Sequence, residues 1–585
     1  MAHGLIMAYQ LLSTPAAVAE VVQHLANQRA IAVDTETTEL DPFRARVRLL
    51  QLATPERVCL IDLFQLPADA LAPVKLLLEA ERPTKILHNA KFDAKMLRHH
   101  FGIELNGLFD TMLAAQLIGA GDTTQRHSLA ELASHYLNRQ LDKSLRASDW
   151  SGQLTPAMLN YAAEDVAVLL PLRQALIEKI KSLQLVDVAK LEFDCVLPTA
   201  AMELAGMHLD AQQWQRLVNR YEKKCRQLET EIKQTLAATG SQIDLFGEAD
   251  INLSSAQQVQ EALAHLGISI HSTREWELES HIAEHAVIAQ LIEYRHAQKF
   301  LSTYGRLAEH IHPVTGRIHA DFRQIGTPTG RFACSDPNLQ QIPNIPDVRA
   351  CFSAPPGRRL IVADYSQIEL CILAELSRDP KLLEAFHQDV DLHRATASLM
   401  FNVPLDQVTK EQRATAKVIN YGLMYGMGAA GLAAQIQTSV IEAERLMNRY
   451  FEIYRGVAQW LRAAADTAVA VGHSRTPRGR LWNFRFDPRD REQVATVQRL
   501  GKNAPIQGCQ ADMLKRAMRV VYDALKPFDA HIVNSVHDEL VIEVDQTVAQ
   551  EVAELVYDRM VAAAQEFISA VPVHVDVHIG HDWTK

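Results

Sequence analysis

The chain has 585 residues, 48% hydrophobic and 22% charged, enough apolar material for roughly three to five packed domains or subdomains. No stretch approaches the roughly 18 uninterrupted apolar residues of a membrane helix, and the N-terminus MAHGLIMAYQ lacks the basic-then-apolar layout of a secretory leader, so a cytosolic chain is expected. With 59 Lys and Arg against 70 Asp and Glu, the net charge of −11 argues against a simple basic nucleic-acid coat, but leaves a local groove free to be basic.

In chain order, Ala30 to Thr37 is a β-branched, apolar run whose period of two puts Asp34 and Glu36 on one side of a strand, where two acids can share a metal. Arg48 to Thr54 and Val58 to Asp62 read as a hairpin joined through Pro55-Glu56-Arg57, which implies a mixed sheet. Ile86 to Asp93 reads as a further strand-like start ending in an acid. Thr155-Pro156 supplies an N-cap and a first-turn proline for a helix that carries Tyr161 and Asp165 one turn apart on the same side.

From about Leu185 the pattern turns to long charged helices such as Tyr221 to Thr235, and Ser255 to Gln258 reads as a capping box. Two readings stand for this stretch: an arm that embraces a duplex, or a solvated helical pair packed on its neighbours. Thr329-Gly330-Arg331 and the segment Pro337 to Pro343 are polar and turn-rich, and an Arg with amides there can read a minor-groove edge.

In Leu360 to Leu370 four apolar residues run into Asp364, after which Ser366 and Gln367 open a helix, so a carboxylate falls at a strand end. Arg413, Lys417 and Tyr421 recur every four positions and spread over roughly 80° of one helix face. The Arg fork and the Lys point charge suit a triphosphate, and the ring suits a base or sugar. No GxxxxGK[ST] loop is present. Arg499 to Gly508 supplies Arg499, Asn503 and Gln507 as a groove-lining set, with helix capping around Pro505 as the alternative. Val533 to Val544 reads as a hairpin with His537-Asp538-Glu539 at its turn. Each acid alone is most simply a solvated surface group. Asp364 and Asp538 brought together would bind two divalent ions about 3.5–4 Å apart, as phosphoryl transfer requires. The seven cysteines, at 59, 195, 225, 334, 351, 371 and 509, are scattered without a CxxC pair and read as buried small hydrophobes.

DTET, NAKFD and YAAED, in that order, resemble the three exonuclease motifs of the DEDDy class over roughly Ile31 to Leu172. The resemblance implies that Asp34, Glu36, Asp93 and Asp165 hold two metal ions while Tyr161 orients the attacking water. DYSQIEL, RATAKVINYGLMYG and VHDE, with TGR, PNLQQIP and NAPIQG in agreement, resemble motifs A, B and C of the family-A DNA polymerases. The implied architecture is a multidomain α/β chain with a ribonuclease-H-like exonuclease domain at 1–185 and a right-hand polymerase domain at 186–585. Within the latter the thumb falls at about 186–320, the palm at about 321–376 and 500–585, and the fingers at about 377–499. No separate 5′-nuclease domain fits before Ile31.

By the same resemblance Asp364 and Asp538 are metal ligands with Glu539 supporting, and Glu369 is a steric gate against a ribose 2′-OH. Gln367 and His393 flank the incoming nucleotide, Arg413 and Lys417 grip its phosphates with Lys417 donating a proton to pyrophosphate, and Tyr421 stacks on it. Tyr425 guards the templating position, and Arg331, Arg499, Asn503, Gln507 and His537 contact the minor groove and primer terminus. Two Mg²⁺ per site are implied, with Mn²⁺ fitting the same ligands, as are primer–template DNA and deoxynucleotides as partners. A nucleoid-associated cytoplasmic monomer without membrane attachment is expected, with a processivity factor as a candidate partner. Two residues depart from the family pattern. Cys371 stands where an Arg is usual, removing a charge near the primer. Tyr421 stands where bacterial repair enzymes usually carry Phe, and its hydroxyl is expected to favour dideoxynucleotides. The alternative functions are an exonuclease whose polymerase half only binds DNA, and a non-enzymatic nucleic-acid scaffold; Glu369 disfavours an RNA polymerase.

Overall fold

The computed structural model describes residues 8–122, 124–145, 148–237, 251–388 and 390–585. Strands β1 (Gln10–Leu12), β2 (Ala30–Thr37), β3 (Val47–Ala53), β4 (Val58–Asp62), β5 (Thr84–Leu87) and β6 (Leu108–Asp110) form one sheet in the order β1-β4-β3-β2-β5-β6. The expected hairpin is β3 with β4, antiparallel to each other and to β2, while β1, β5 and β6 run parallel to their partners, giving the mixed sheet. Every residue of β3 and β4 is buried, as near-continuous apolar runs covered on both faces should be. The Pro156–Ser182 helix packs on this sheet, its first turn capped by the Thr155 hydroxyl.

One expectation fails here. Ile86 to Asp93 does not carry its acid at a strand end: β5 stops at Leu87, Asn89 takes φ 60°, and a helix runs Ala90–Phe101 with Asp93 in its first turn. The buried Asp110 carboxylate, across the sheet edge on β6, accepts the N–H groups of Asn89 (3.2 Å) and Ala90 (2.7 Å) and so caps this helix from a distance.

The stretch after Leu185 is also not uniformly a charged arm. The Val186–Ala205 helix buries most of its length, Glu192 and Glu203 included, between the Ala90–Phe101 helix, the Arg491–Leu525 helix and β14 (Ala530–Val536). The charged Ala211–Ala237 helix buries a single stripe and pairs with the Ala286–Tyr304 helix. Together with the Ala256–His265 helix they enclose a separate core that includes Leu228, Ile232, Leu263, Ile288 and Leu291. Of the expected capping box only half forms. Ser255 accepts the Gln258 N–H, but the Gln258 side chain turns to the Asn252 N–H instead.

Short antiparallel pairs β7 (Met207–His208) with β8 (Arg317–Ile318), β9 (Asp321–Arg323) with β10 (Ala333–Ser335), and β12 (His473–Arg475) with β13 (Leu481–Asn483) lie outside the two larger sheets. The second sheet joins β14, β15 (Glu539–Asp545), β11 (Arg358–Tyr365) and β16 (Val575–Gly580) in the order β14-β15-β11-β16, all antiparallel. Between β11 and β14 lie the Ile368–Ser377, Leu392–Phe401 and Lys410–Met424 helices and the long Arg491–Leu525 helix, which runs straight through Pro505. All seven cysteines are buried and unpaired, and burial pushes each thiol above its ordinary value. Among the described residues no helix is long and apolar enough to cross a membrane.

Two candidate active sites

The first site lies on β2. Asp34 and Glu36 project from the same side of the strand, and their carboxylate oxygens and those of Asp165 lie within 4.8 Å of one another. Asp93 joins them through Thr35, whose hydroxyl donates to Asp93 Oδ1 at 2.6 Å. Burial, reinforced by the charges of Asp93, Glu36 and Asp165, holds the Asp34 carboxyl far above the usual range. Burial and Asp165 push Glu36 up to about 8, and burial pushes Asp93 up to about 7. Four acids so close cannot all ionise without a cation. Lys143 supplies one positive charge, its ammonium 2.6 Å from Asp165 and 5.1 Å from the centre of the Tyr161 ring. The donor set, hard carboxylate oxygens in excess of the local positive charge, fits divalent ions. Tyr161 is half-buried one turn before Asp165.

The second site gathers at one end of the second sheet. Asp364, near the end of β11, pairs across the sheet with Glu539 on β15 and with Asp576 on β16. Asp538 occupies the tight turn between β14 and β15, which His537 makes possible by taking φ 55°. Burial first, then the charges of Asp364 and Glu369, push Asp538 up to about 7. Asp364 Oδ1 is buried without a hydrogen-bond partner. The Lys585 ammonium stands 2.5 Å from Asp364 Oδ2 and 2.7 Å from Glu539 Oε2, marking where positive charge is demanded. Glu539 is otherwise held by Trp583 Nε1 (2.6 Å) and Arg349 (3.4 Å). These carboxylates too fit hard divalent ions.

Around them, the Lys410–Met424 helix starts with a complete capping box, Thr409 with Gln412. It leaves Arg413 and Lys417 exposed and Tyr421 half-buried. Arg413 is paired with Asp391 at 2.7 Å. The Tyr421 hydroxyl is pushed up to about 12 by burial and by Glu369, Asp538 and Asp364. Its ring lies 5.7 Å from that of His393, a buried imidazole bonded to Asn420 and pushed down to about 4 by burial. Glu369 is nearly buried, takes the Tyr425 hydroxyl and pairs with Arg331 at 2.7 Å. Arg331 also bonds Gln510. Gln367 takes φ 51° just before the Ile368–Ser377 helix, with its Oε1 buried and unbonded. On the long helix Arg499 is exposed, Asn503 reaches the Tyr425 carbonyl (3.4 Å) and Gln507 is half-buried. Cys371 is buried among apolar side chains, so at this position the chain presents nothing to a primer strand.

Sequence reasoning did not find Lys143, Lys585, Arg349 or Trp583, each of which reaches its carboxylate from elsewhere in the chain. Nor did it find a fully buried network beneath Gly330. There Glu192 Oε1 lies 2.5 Å from both Arg480 and Lys515, Arg480 pairs with Asp512 at 2.6 Å, and Lys515 donates to the Gly330 carbonyl at 2.7 Å.

A carboxylate cluster on a mixed sheet, followed by paired acids at one end of an antiparallel sheet, is the arrangement of a DNA polymerase of family A with a 3′-5′ exonuclease domain. The chain belongs to that family: the DNA polymerase family A model matches residues 222–585 and the 3′-5′ exonuclease model residues 9–181. Among its relatives are two proteins called DNA polymerase I. That of Pseudomonas aeruginosa is 35% identical over 96% of this chain and 64% of its own length, and that of Aquifex aeolicus is 32% identical over 97% of this chain and 98% of its own. The chain thus spans just under two thirds of the first relative and nearly all of the second. Among solved structures, the POL domain of Pol1 from M. smegmatis in complex with DNA primer-template and dNTP superposes with a TM-score of 0.84 at 30% identity, over 98% of this chain and 99% of that one.

Proposed function

We propose that the chain extends a DNA primer from its 3′-OH on a DNA template with deoxynucleoside triphosphates, and trims 3′ ends with its exonuclease domain. The observation that carries this reading is the meeting of Asp364, Asp538 and Glu539 at one sheet end with Glu369 and Tyr421 from the facing helices. The division into an exonuclease domain at 1–185 and a polymerase domain at 186–585 is supported by the matched ranges. A thumb at about 186–320 is supported by a separate core over Cys225 to Ala297; the Val186–Ala205 helix packs instead on the Ala90–Phe101 and Arg491–Leu525 helices and β14. The palm at about 321–376 and 500–585 and fingers at about 377–499 follow the second sheet and the helices between β11 and β14.

Asp364 and Asp538, supported by Glu539, would hold two divalent ions, and Asp34, Glu36, Asp93 and Asp165 two more. Mg²⁺ suits these hard donors and Mn²⁺ fits them too. Such ions, when bound, supply charge neutralisation at the phosphorus and acidify the attacking hydroxyl or water. The chain's own side chains do the rest. Arg413 and Lys417 grip the triphosphate, and Lys417 passes a proton to the departing pyrophosphate. Tyr421 stacks on the sugar and base, Gln367 and His393 flank them, and Glu369 fills the space of a 2′-OH. Tyr425 guards the templating position, while Arg331, Arg499, Asn503, Gln507 and His537 contact the minor groove and primer end. Tyr161 orients the hydrolytic water. Both candidate centres are built within one chain, so neither needs a residue of a second subunit, and a monomer is expected.

The test is a labelled primer on a template with Mg²⁺, with and without deoxynucleotides. Extension lost only in Asp538→Ala and shortening lost only in Asp34→Ala supports the reading. A wild type that shortens but never extends the primer reduces the polymerase half to a binding module.

A further inference from the structure

We propose that Glu203, which lies outside the exonuclease sheet on the Val186–Ala205 helix, is a positioning residue of the exonuclease centre and acts on Asp93; this rests on the exonuclease reading above. The Ala90–Phe101 helix presents Lys91 and Lys95 on one side, and Asp93, two residues from each, about 200° around the axis on the other. The lysine side is bolted to a single buried carboxylate. Glu203 Oε1 takes the Lys91 ammonium at 2.6 Å and the Phe322 N–H at 2.7 Å, and Oε2 takes the Lys95 ammonium at 2.6 Å. Lys91 further reaches Asp321 Oδ1 at 2.7 Å and the Phe322 carbonyl at 2.9 Å. The Glu203 side chain is only 2% exposed, and two of its three hydrogen bonds hold this helix.

Asp110 fixes the helix end along its axis, and the Glu203 clamp fixes its rotation. With side-chain ends about 5 Å from the axis, a turn of about 10° moves the Asp93 carboxylate by roughly 1 Å, a displacement that costs on the order of 100-fold at a reacting centre. The Val186–Ala205 helix that carries Glu203 also carries Glu192, about three turns earlier, inside the Arg480–Lys515 network beneath Gly330. One rigid element is thereby pinned at one end to the polymerase palm and at the other to an exonuclease ligand.

The experiment compares wild type, Glu203→Gln and Lys95→Met for Mg²⁺-dependent shortening of a single-stranded oligonucleotide and for primer extension, with melting curves for each. For Glu203→Gln the expected result is a 10- to 100-fold lower exonuclease kcat at unchanged KM for DNA, a higher Mg²⁺ concentration for half-maximal shortening, and extension within about two-fold of wild type. Lys95→Met, which leaves the Lys91 half of the clamp, is expected to lose about ten-fold and decides the matter if Glu203→Gln does not fold. Shortening at the wild-type rate in a folded variant, or equal loss of shortening and extension, overturns the proposal. A wild type that shortens no DNA overturns the exonuclease reading and this inference with it; a wild type that shortens DNA no faster than Glu203→Gln overturns this inference alone.

Discussion

The Tyr421 hydroxyl is a protonated donor at neutral pH, as an ordinary phenol is, and burial and the acids Glu369, Asp538 and Asp364 push it further up, to about 12. A donor there can replace a missing sugar 3′-OH. Tyr421→Phe is therefore expected to disfavour dideoxynucleotides by about ten-fold, the value of one hydrogen bond, as read from chain termination in mixed dideoxy- and deoxynucleotide pools; equal incorporation by both proteins would refute it. The carboxylates around β2 give a pH prediction. Glu36, pushed up to about 8 from a carboxyl value of 4.5, holds its proton longer in the folded chain than in the unfolded one. Its cost is absent below about pH 4.5 and grows as pH rises towards 8. Metal-free Glu36→Gln should accordingly melt higher than wild type at pH 8 and equally at pH 4.5, and saturating Mg²⁺ should erase the difference by restoring the counter-charge to the wild type.

Among the elements, strands and turns were the most legible. In β2, β11 and the β14–β15 hairpin, apolar runs broken by acids determine both the element and the direction of the acids, so Asp34, Glu36, Asp364 and Asp538 were found where they stand. The Ala90–Phe101 helix was missed because its cap, Asp110, is twenty residues downstream and no local residue announces it. The apolar Val186–Ala205 helix was read with its charged neighbours because its burial comes from partners distant in sequence. The Glu192–Arg480–Asp512–Lys515 network was invisible for the same reason, yet it is where a single change should cost most. Lys515→Met leaves the Glu192 carboxylate short of one of its two buried cations, and a loss of roughly 3–5 kcal/mol is expected. Chemical denaturation of the two proteins side by side measures it. A loss below 1 kcal/mol would show that the network is solvated in practice.

For the whole molecule, the two halves are joined by charge as well as by chain. Beyond Lys91 and Lys95, the Tyr522 hydroxyl on the long helix bonds both Arg98 and Glu104, and Glu104 also pairs with Lys526 at 3.0 Å. Residues 186–585 produced alone would lose the Lys91 and Lys95 partners of Glu203 and uncover the face of the Val186–Ala205 helix that packs on the Ala90–Phe101 helix. That fragment is expected to extend primers but to melt several degrees lower than the full chain; an unchanged midpoint would mean that the contacts between the halves contribute nothing to stability. The burial of all seven thiols has a practical corollary. A maleimide dye needs an accessible thiolate, so native cysteines should remain unlabelled while a cysteine introduced on an exposed position, such as Arg226 or Ile441, reacts. The distance between these two positions can then be followed by energy transfer on DNA addition without first replacing the native cysteines.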